Sequence, residues 1–236
     1  MRHPFRTTIA ALAVVSGAST VFAGTVFAGP ANAQTSGAGL NDVKTKAAAA
    51  ITARLNSLNS AIIAVDNNKW LTTTDKSTSL QILNSDVPAL TTLGAKIQAD
   101  TTLSQVTADY KTIFTGYRVY LLVLPQIRLA AVGDDLGTGV VPKLTDAQTR
   151  LENLLNGRDK GKDNPTIQAA MADLNTQIQA ITQETDGLSA TVLAYTPAQY
   201  DANTSILSPA HTAIKTARAD AKTARQDIQT VVEALK

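Results

Sequence analysis

The chain has 236 residues, 44% hydrophobic and only 4% aromatic, with no cysteine and a formal net charge of +2. Without thiols there is no disulfide, iron–sulfur cluster, lipid-modified cysteine anchor or thiol nucleophile, so stability has to come from packing. Bulk charge gives no pull toward nucleic acid or an anionic membrane, and the shortage of large side chains predicts thin buried seams between closely spaced helices.

Residues 1–33 read as a cleavable export signal. Arg2 and Arg6 supply a basic start, an apolar stretch follows from Ile9 to Val26, and Ala31-Asn32-Ala33 has the small–x–small pattern that signal peptidase needs. Val21-Phe22-Ala23 and Val26-Phe27-Ala28 are alternative cleavage points, but Pro30 favours the last one by ending any helix there. An uncleaved anchor is the competing reading, since the stretch is almost long enough to span a bilayer. The two arginines are not adjacent, so there is no twin-arginine motif. Cleavage after Ala33 would remove two of the 21 basic residues and none of the 19 acidic ones, leaving a neutral chain. Secretion is the expected destination. Any retention at the cell wall would be noncovalent, because no sortase-type tail or second hydrophobic span is found.

Residues 34–39, small and polar, are expected to form a flexible lead-in. A first helix is predicted from Leu40 to Asn67, with Ile51, Leu55, Leu58, Ile62 and Val65 as its seam and Trp70 and Leu71 closing one end of a bundle. Thr72-Thr73-Thr74-Asp75 offers N-cap oxygens for a second helix, Asp75 to Ala99, striped by Leu80, Leu83, Val87, Leu90 and Ile97. Pro88 inside it predicts a kink, at about 3 kcal/mol if nothing compensates. Thr102 and Gln105 form a capping box, and apolar periodicity then runs from Leu103 to Leu154, which predicts one helix from 102 to about 157. Pro125, Pro142, Gly133, Gly137 and Gly139 make 133–142 the expected place for a hinge or break.

The turn 157–164 (GRDKGKDN) precedes Pro165, which suits a first helical turn. A fourth helix is predicted through Ile167, Met171, Leu174, Ile178, Ile181, Thr185, Leu188, Val192 and Tyr195. Thr196-Pro197-Ala198-Gln199 is another capping box, so the last helix is expected to start near Pro197 and to bend at Pro209. From Leu207 to Leu235 its heptad beat is unbroken: Leu207, Ala210, Ile214, Ala217, Ala221, Ala224, Ile228, Val231, Leu235.

Short links force neighbouring helices antiparallel. The predicted fold is all-α and elongated, two three-helix bundles in tandem that share a long central helix, with a first bundle over 40–132 and a second over 133–236. That arrangement resembles spectrin-type repeats by geometry only. The alternative breaks the central helix at 133–142 and folds everything into one compact five- or six-helix bundle.

Enzyme signatures are missing. His211 flanks the last seam, where a solvated or half-buried structural role is expected, and no Ser–His–Asp order, HExxH or phosphate-cradling loop is present. Asp134-Asp135 reads as a cap or solvated pair before it reads as a weak cation site. The Asp159–Asn164 stretch has only part of a calcium loop: Lys160 and Lys162 intervene and the bidentate glutamate is absent. Tyr110, Tyr117 and Tyr120 are spaced for a core, not for a stacking platform. No catalytic, cofactor-binding or metal-ligating residue is assigned, and no cofactor is expected. The segment 117–128 (YRVYLLVLPQIR) is apolar nearly all round, which a central helix contacted on most faces explains better than a buried strand or a membrane span interrupted by Arg118 and Arg128. Arg118 is expected over tyrosine faces or against a carboxylate. On the last helix, Arg218 and Arg225 face Asp220 and Asp227 across the seam, a flank pattern that steers pairing within the chain or with a second copy or another envelope protein.

YRVYLLVLPQ at 117–126, ADTTL at 99–103 and LAYTPAQY at 193–200 together resemble landmarks of a family of exported all-helical proteins from actinobacteria and related Gram-positive bacteria. The resemblance covers most of the chain after the signal. It implies export and an elongated helical fold, and carries over no activity and no functional residues. The glycines at 133–139 depart from the regular helix it implies there. The expected function is that of a secreted or envelope-associated, non-enzymatic spacer, scaffold or interaction module, with no nucleic-acid partner and no stable membrane span after signal cleavage. The alternative is an extracellular carrier of a lipid or other apolar small molecule, opening at the proline and glycine positions.

Overall fold

The computed structural model describes residues 33–157, 161 and 163–236; the export-signal reading at 1–32 and the turn residues Arg158, Asp159, Lys160 and Lys162 lie outside the described residues. Among the described residues every regular element is helical, and the fold is all-α. The elements are α1 (Ala33–Asp66), α2 (Thr73–Ala99), α3 (Leu103–Thr115), α4 (Leu124–Asp134), α5 (Val141–Asn156), α6 (Pro165–Thr185), α7 (Leu188–Leu193), α8 (Pro197–Ala202) and α9 (Ser208–Ala234). Two π-helical stretches, Val119–Val123 and Asp135–Val140, lead directly into α4 and α5, so residues 119–156 are helical without a gap.

The helix starts follow local chemistry. Thr72, Thr102, Asn164 and Thr196 each accept a backbone N–H of the first turn, from Asp75, Gln105, Thr166 and Gln199 respectively. At Thr196 the full capping box forms, with Gln199 Oε1 accepting from the Thr196 N–H at 2.9 Å. Pro165, Pro197 and Pro209 all sit in first turns, where a missing N–H removes no helical bond. Pro209 therefore starts α9 and does not bend a longer helix, and the expected start near Pro197 belongs to the separate α8. Asn203 ends α8 in an extended conformation, and its side chain accepts from the Ser205 N–H at 3.0 Å, holding the turn between the two helices.

Three further expectations are corrected. The lead-in at 34–39 is part of α1, which starts at Ala33. No proline interrupts it, and Gly37 and Gly39 cost only about 1 kcal/mol each in a helix. The long helix expected over 102–157 does break, but at Gly116–Arg118, where Arg118 takes a left-handed conformation (φ 45°) that an α-helix cannot carry. At 133–142 the chain stays helical. The residues preceding both prolines, Leu124 and Val141, donate to the carbonyls five positions back, Val119 and Leu136. This wider turn moves backbone carbonyls away from the ring of the following proline, which would clash with them in a regular α-helix. The fourth helix likewise divides at Asp186–Gly187, with Gly187 at φ 63°, so that α7 leaves at a new angle.

Packing joins these pieces. Helices α1, α2 and α3 contact one another, as do α5, α6 and α9, while α4 lies against α7 and touches both α1 and α9. One buried cluster runs through all of them, from Ala47 and Ile51 in α1 to Val231 in α9. Leu58, Leu83, Leu90 and Leu174 are fully buried within it, each contributing about 1.5–3 kcal/mol by burial. The α6–α9 pairing is the most extensive, and it consumes the alanine seam: Ala217, Ala221 and Ala224 are buried, which lets the two backbones approach closely. Residues 39–66 are long and apolar enough, by length and composition, to cross a membrane; here they pack on α2 and α3.

Candidate functional site

The chain break at Gly116–Arg118 brings two distant segments together. Arg118 reaches across to α8, where its guanidinium pairs with Asp201 at 2.5 Å and lies 5.7 Å from the centre of the Tyr200 ring. Both expected roles for Arg118, over a tyrosine face and against a carboxylate, are present at once. The π-helical stretch that follows packs its buried Leu122 and Val123 beside Leu193, Tyr195 and Pro197. The 117–126 and 193–200 segments thus share one site.

Between them and α2 lies a cavity of about 220 Å³. Its walls are mostly apolar, with Ile82, Leu122 and Leu193 prominent, and polar side chains interrupt them, among them Asp86 from α2 and Gln126 from α4. Gln126 is only 1% exposed, and its Oε1 is buried without a hydrogen-bond partner. Asp86 Oδ2 is buried and unpartnered as well. Burial raises the Asp86 carboxyl to about 6, because the charged form loses water and gains no donor. The phenol of Tyr117 is in turn pushed up, first by its own burial and then by the nearby Asp86 charge. Buried acceptors without donors are rare in native proteins; others occur at Asp100 and Asp227, but here two face one cavity, next to a left-handed arginine and a π-helical stretch.

A second polar cluster has a structural explanation. Asp134 is 7% exposed and accepts from the Ser189 hydroxyl at 2.6 Å and from the Thr72 N–H at 2.8 Å. Thr138 donates to the carbonyls of Trp70, at 3.0 Å, and Asp134, at 2.7 Å. Desolvation raises the Asp134 carboxyl, against the opposing pull of these two bonds. The cluster ties the α1–α2 link to the 119–156 stretch and to α7. The expected cap or solvated pair at Asp134-Asp135 is corrected for Asp134: it lies buried inside the continuous helical stretch, makes no side-chain cap bond, and bonds instead to distant segments. Among the described residues no group of three His, Cys, Asp or Glu side chains is placed to hold a metal. Leu71 is buried, and Trp70 lies over Gly139, where an added Cβ would come within 2.9 Å of the ring. Lys143 sits 4.5 Å above that ring.

The tyrosines separate. Tyr110 and Tyr117 are half-buried against the core, but Tyr120 is 45% exposed, because the break and the π turn shift the register and give the buried position to Val119. Arg54 of α1 fills the space beside it. Its guanidinium lies 4.4 Å from the centre of the Phe114 ring and 5.1 Å from that of Tyr120, and Tyr120 Oη is 3.2 Å from Ser57 Oγ. Arg54 is 8% exposed and forms no ion pair, and burial lowers its pKa. Sequence reasoning missed Arg54, Asp86 and Gln126 altogether; only the unusually apolar surroundings of Gln126 gave a hint. His211 is exposed, as are Arg218 and Arg225.

No protein-family model, curated protein or solved structure matches the chain.

Proposed function

We propose that this chain is an exported, non-enzymatic helical interaction module that works as a spacer or scaffold at or beyond the cell envelope. The observation that carries this reading is the outward pair of rings, Phe114 and Tyr120, both held within 5.1 Å of the buried Arg54 guanidinium. Aromatic side chains held in fixed orientation, with a guanidinium against them, have the make-up of interface anchors. The N-terminal pattern supports export. The partner is another envelope protein docking on these rings; self-association through α9 is the other candidate, and it would have to use the outward face with Arg218 and Arg225, since the alanine seam is occupied by α6.

Two measurements test the proposal. N-terminal sequencing of the native protein from culture medium and envelope fractions should start just after Ala33. Crosslinking in the native host should trap one partner with the wild type and lose it with the Phe114→Ser/Tyr120→Ser double variant, while circular dichroism of the two is the same. Trapping that survives the double substitution overturns the assignment of the rings.

The second reading, a carrier of a lipid or other apolar molecule, draws on the cavity beside Leu122. At about 220 Å³ it is smaller than the roughly 300–1,000 Å³ of pockets that enclose drug-sized ligands, so a lipid would require the helices to part. Native mass spectrometry of protein from its own host should then show a co-purified lipid mass.

A further inference from the structure

The cavity beside Leu122 has an unbalanced chemistry. Two buried oxygens in its wall, Asp86 Oδ2 and Gln126 Oε1, accept hydrogen bonds, and neither receives one. Of the other polar side chains in the wall, Ser85 donates to the Ile82 carbonyl at 2.8 Å, Thr196 is bound up in its capping box with Gln199, and the partly buried Tyr195 gives neither buried oxygen a hydrogen bond. Among the described residues Asp86 takes part in no ion pair, and Arg118, on the adjoining segment, is committed to Asp201. With its carboxyl near 6, Asp86 is mostly ionised at neutral pH and its charge is uncompensated. Around these oxygens stand the aliphatic side chains of Ile82, Leu122, Val123 and Leu193. An unsatisfied buried acceptor costs about 1–3 kcal/mol, more when charged, and an occupant that supplies donors would recover that cost.

We propose that this cavity is a binding site for a small alkylammonium ion, whose N–H groups donate to Asp86 and Gln126 while its alkyl part lies against Ile82, Leu122 and Leu193. A cation answers the charge of Asp86, several N–H donors answer two acceptors, and a short hydrocarbon answers the walls. A volume of about 220 Å³ lies below that of pockets enclosing drug-sized ligands and suits an amine of about four or five carbons. This site is separate from the Arg54 rings, so it stands or falls independently of the interaction-module reading.

The test uses the full chain at neutral pH and three probes of one shape: n-butylammonium, n-butanol and n-butyrate. Binding is followed by the chemical shift of the Gln126 side-chain amide in ¹H–¹⁵N spectra. Butylammonium should shift that resonance saturably, butanol should bind at least about tenfold more weakly, as expected for losing a charge-assisted bond, and butyrate should not bind. The isosteric Asp86→Asn should weaken butylammonium about tenfold or more, read there from the same amide. Gln126→Met, which keeps length and apolar packing, should weaken it too, read from saturation transfer to the probe. Equal binding of butanol shows a merely apolar cavity and overturns the proposal. So does absence of saturable binding, or butylammonium affinity that survives both substitutions in variants with wild-type circular dichroism.

Discussion

At the scale of single residues, Asp86 shows how burial and ionisation oppose each other. Its carboxyl titrates near 6 in the fold and near 3.9 when unfolded. Between those values the folded state binds the proton more tightly, so the contribution of Asp86 is fully present below about 3.9 and is lost as pH rises from there through 6. Asp86→Asn is therefore expected to stabilise the protein by about 1–2 kcal/mol at pH 7.5, discounting for partial solvent access, and to change little at pH 4. Urea denaturation of both proteins at the two pH values checks this. Arg118 gives a second comparison. Arg118→Ala and Arg118→Gly both remove the pair with Asp201, but only glycine relieves the left-handed backbone, so the glycine variant should be the more stable of the two by about 1 kcal/mol in the same assay. From the sequence Arg118 is expected against a tyrosine face or a carboxylate with neither partner identified, and Asp86 has no expected place at all. Asp86 follows a serine and precedes an ordinary stripe residue, Val87, and nothing in that pattern shows that another segment folds over it.

At the scale of elements, the sequence made α9 legible because one demand shaped every seam position. Leu207, Ala210, Ile214, Ala217, Ala221, Ala224 and Val231 are all buried, and Ile228 and Leu235 pack against them. The same argument predicts that Ala217→Leu, at a position with no exposed surface facing α6, will cost about 1–3 kcal/mol by overpacking, measurable as a lowered thermal midpoint. The helix starts were legible for a similar reason: a threonine or asparagine cap acts within three residues. Two breaks were hidden because the apolar beat continues across them. Leu188 and Val192 keep the spacing set by Ile181 and Thr185 even though Gly187 redirects the chain, and Val119 stands beside the position that the beat assigned to Tyr120. Periodicity records which residues are apolar, and a change of backbone direction at constant spacing leaves no trace in it. The opposite error occurred at Pro125 and Pro142, where residues that usually stop helices are accommodated by wider turns, with bonds five positions back that no local pattern announces.

At the scale of the whole molecule, all-α architecture followed from seams that no other element type could bury. The two groups of three helices meet through α4 and α7, and the Asp134 cluster fastens the junction from three directions. The helical stretch 119–156 is about 55 Å long at 1.5 Å per residue. A compact globule of about 200 residues has a radius of gyration near 17 Å and a diameter of about 45 Å, too short to contain it. Small-angle scattering of the protein isolated from its host should therefore give a radius of gyration above about 20 Å. A value at 17 Å would count against an extended particle and favour the squat bundle.

The wide turn at 135–140 has one more result for the molecule. It holds a residue beyond what an ordinary turn would take, and absorbs it without turning the faces on either side, as an expansion joint takes up slack in a rail. Excising Thr138 would close it to an ordinary turn, leaving Leu144 and Leu151 facing the interior they now occupy but returning a backbone carbonyl to the Pro142 ring and removing the bond to the Trp70 carbonyl. The deletion should thus cost about 3 kcal/mol or more, seen as a lowered thermal midpoint with cooperative melting retained.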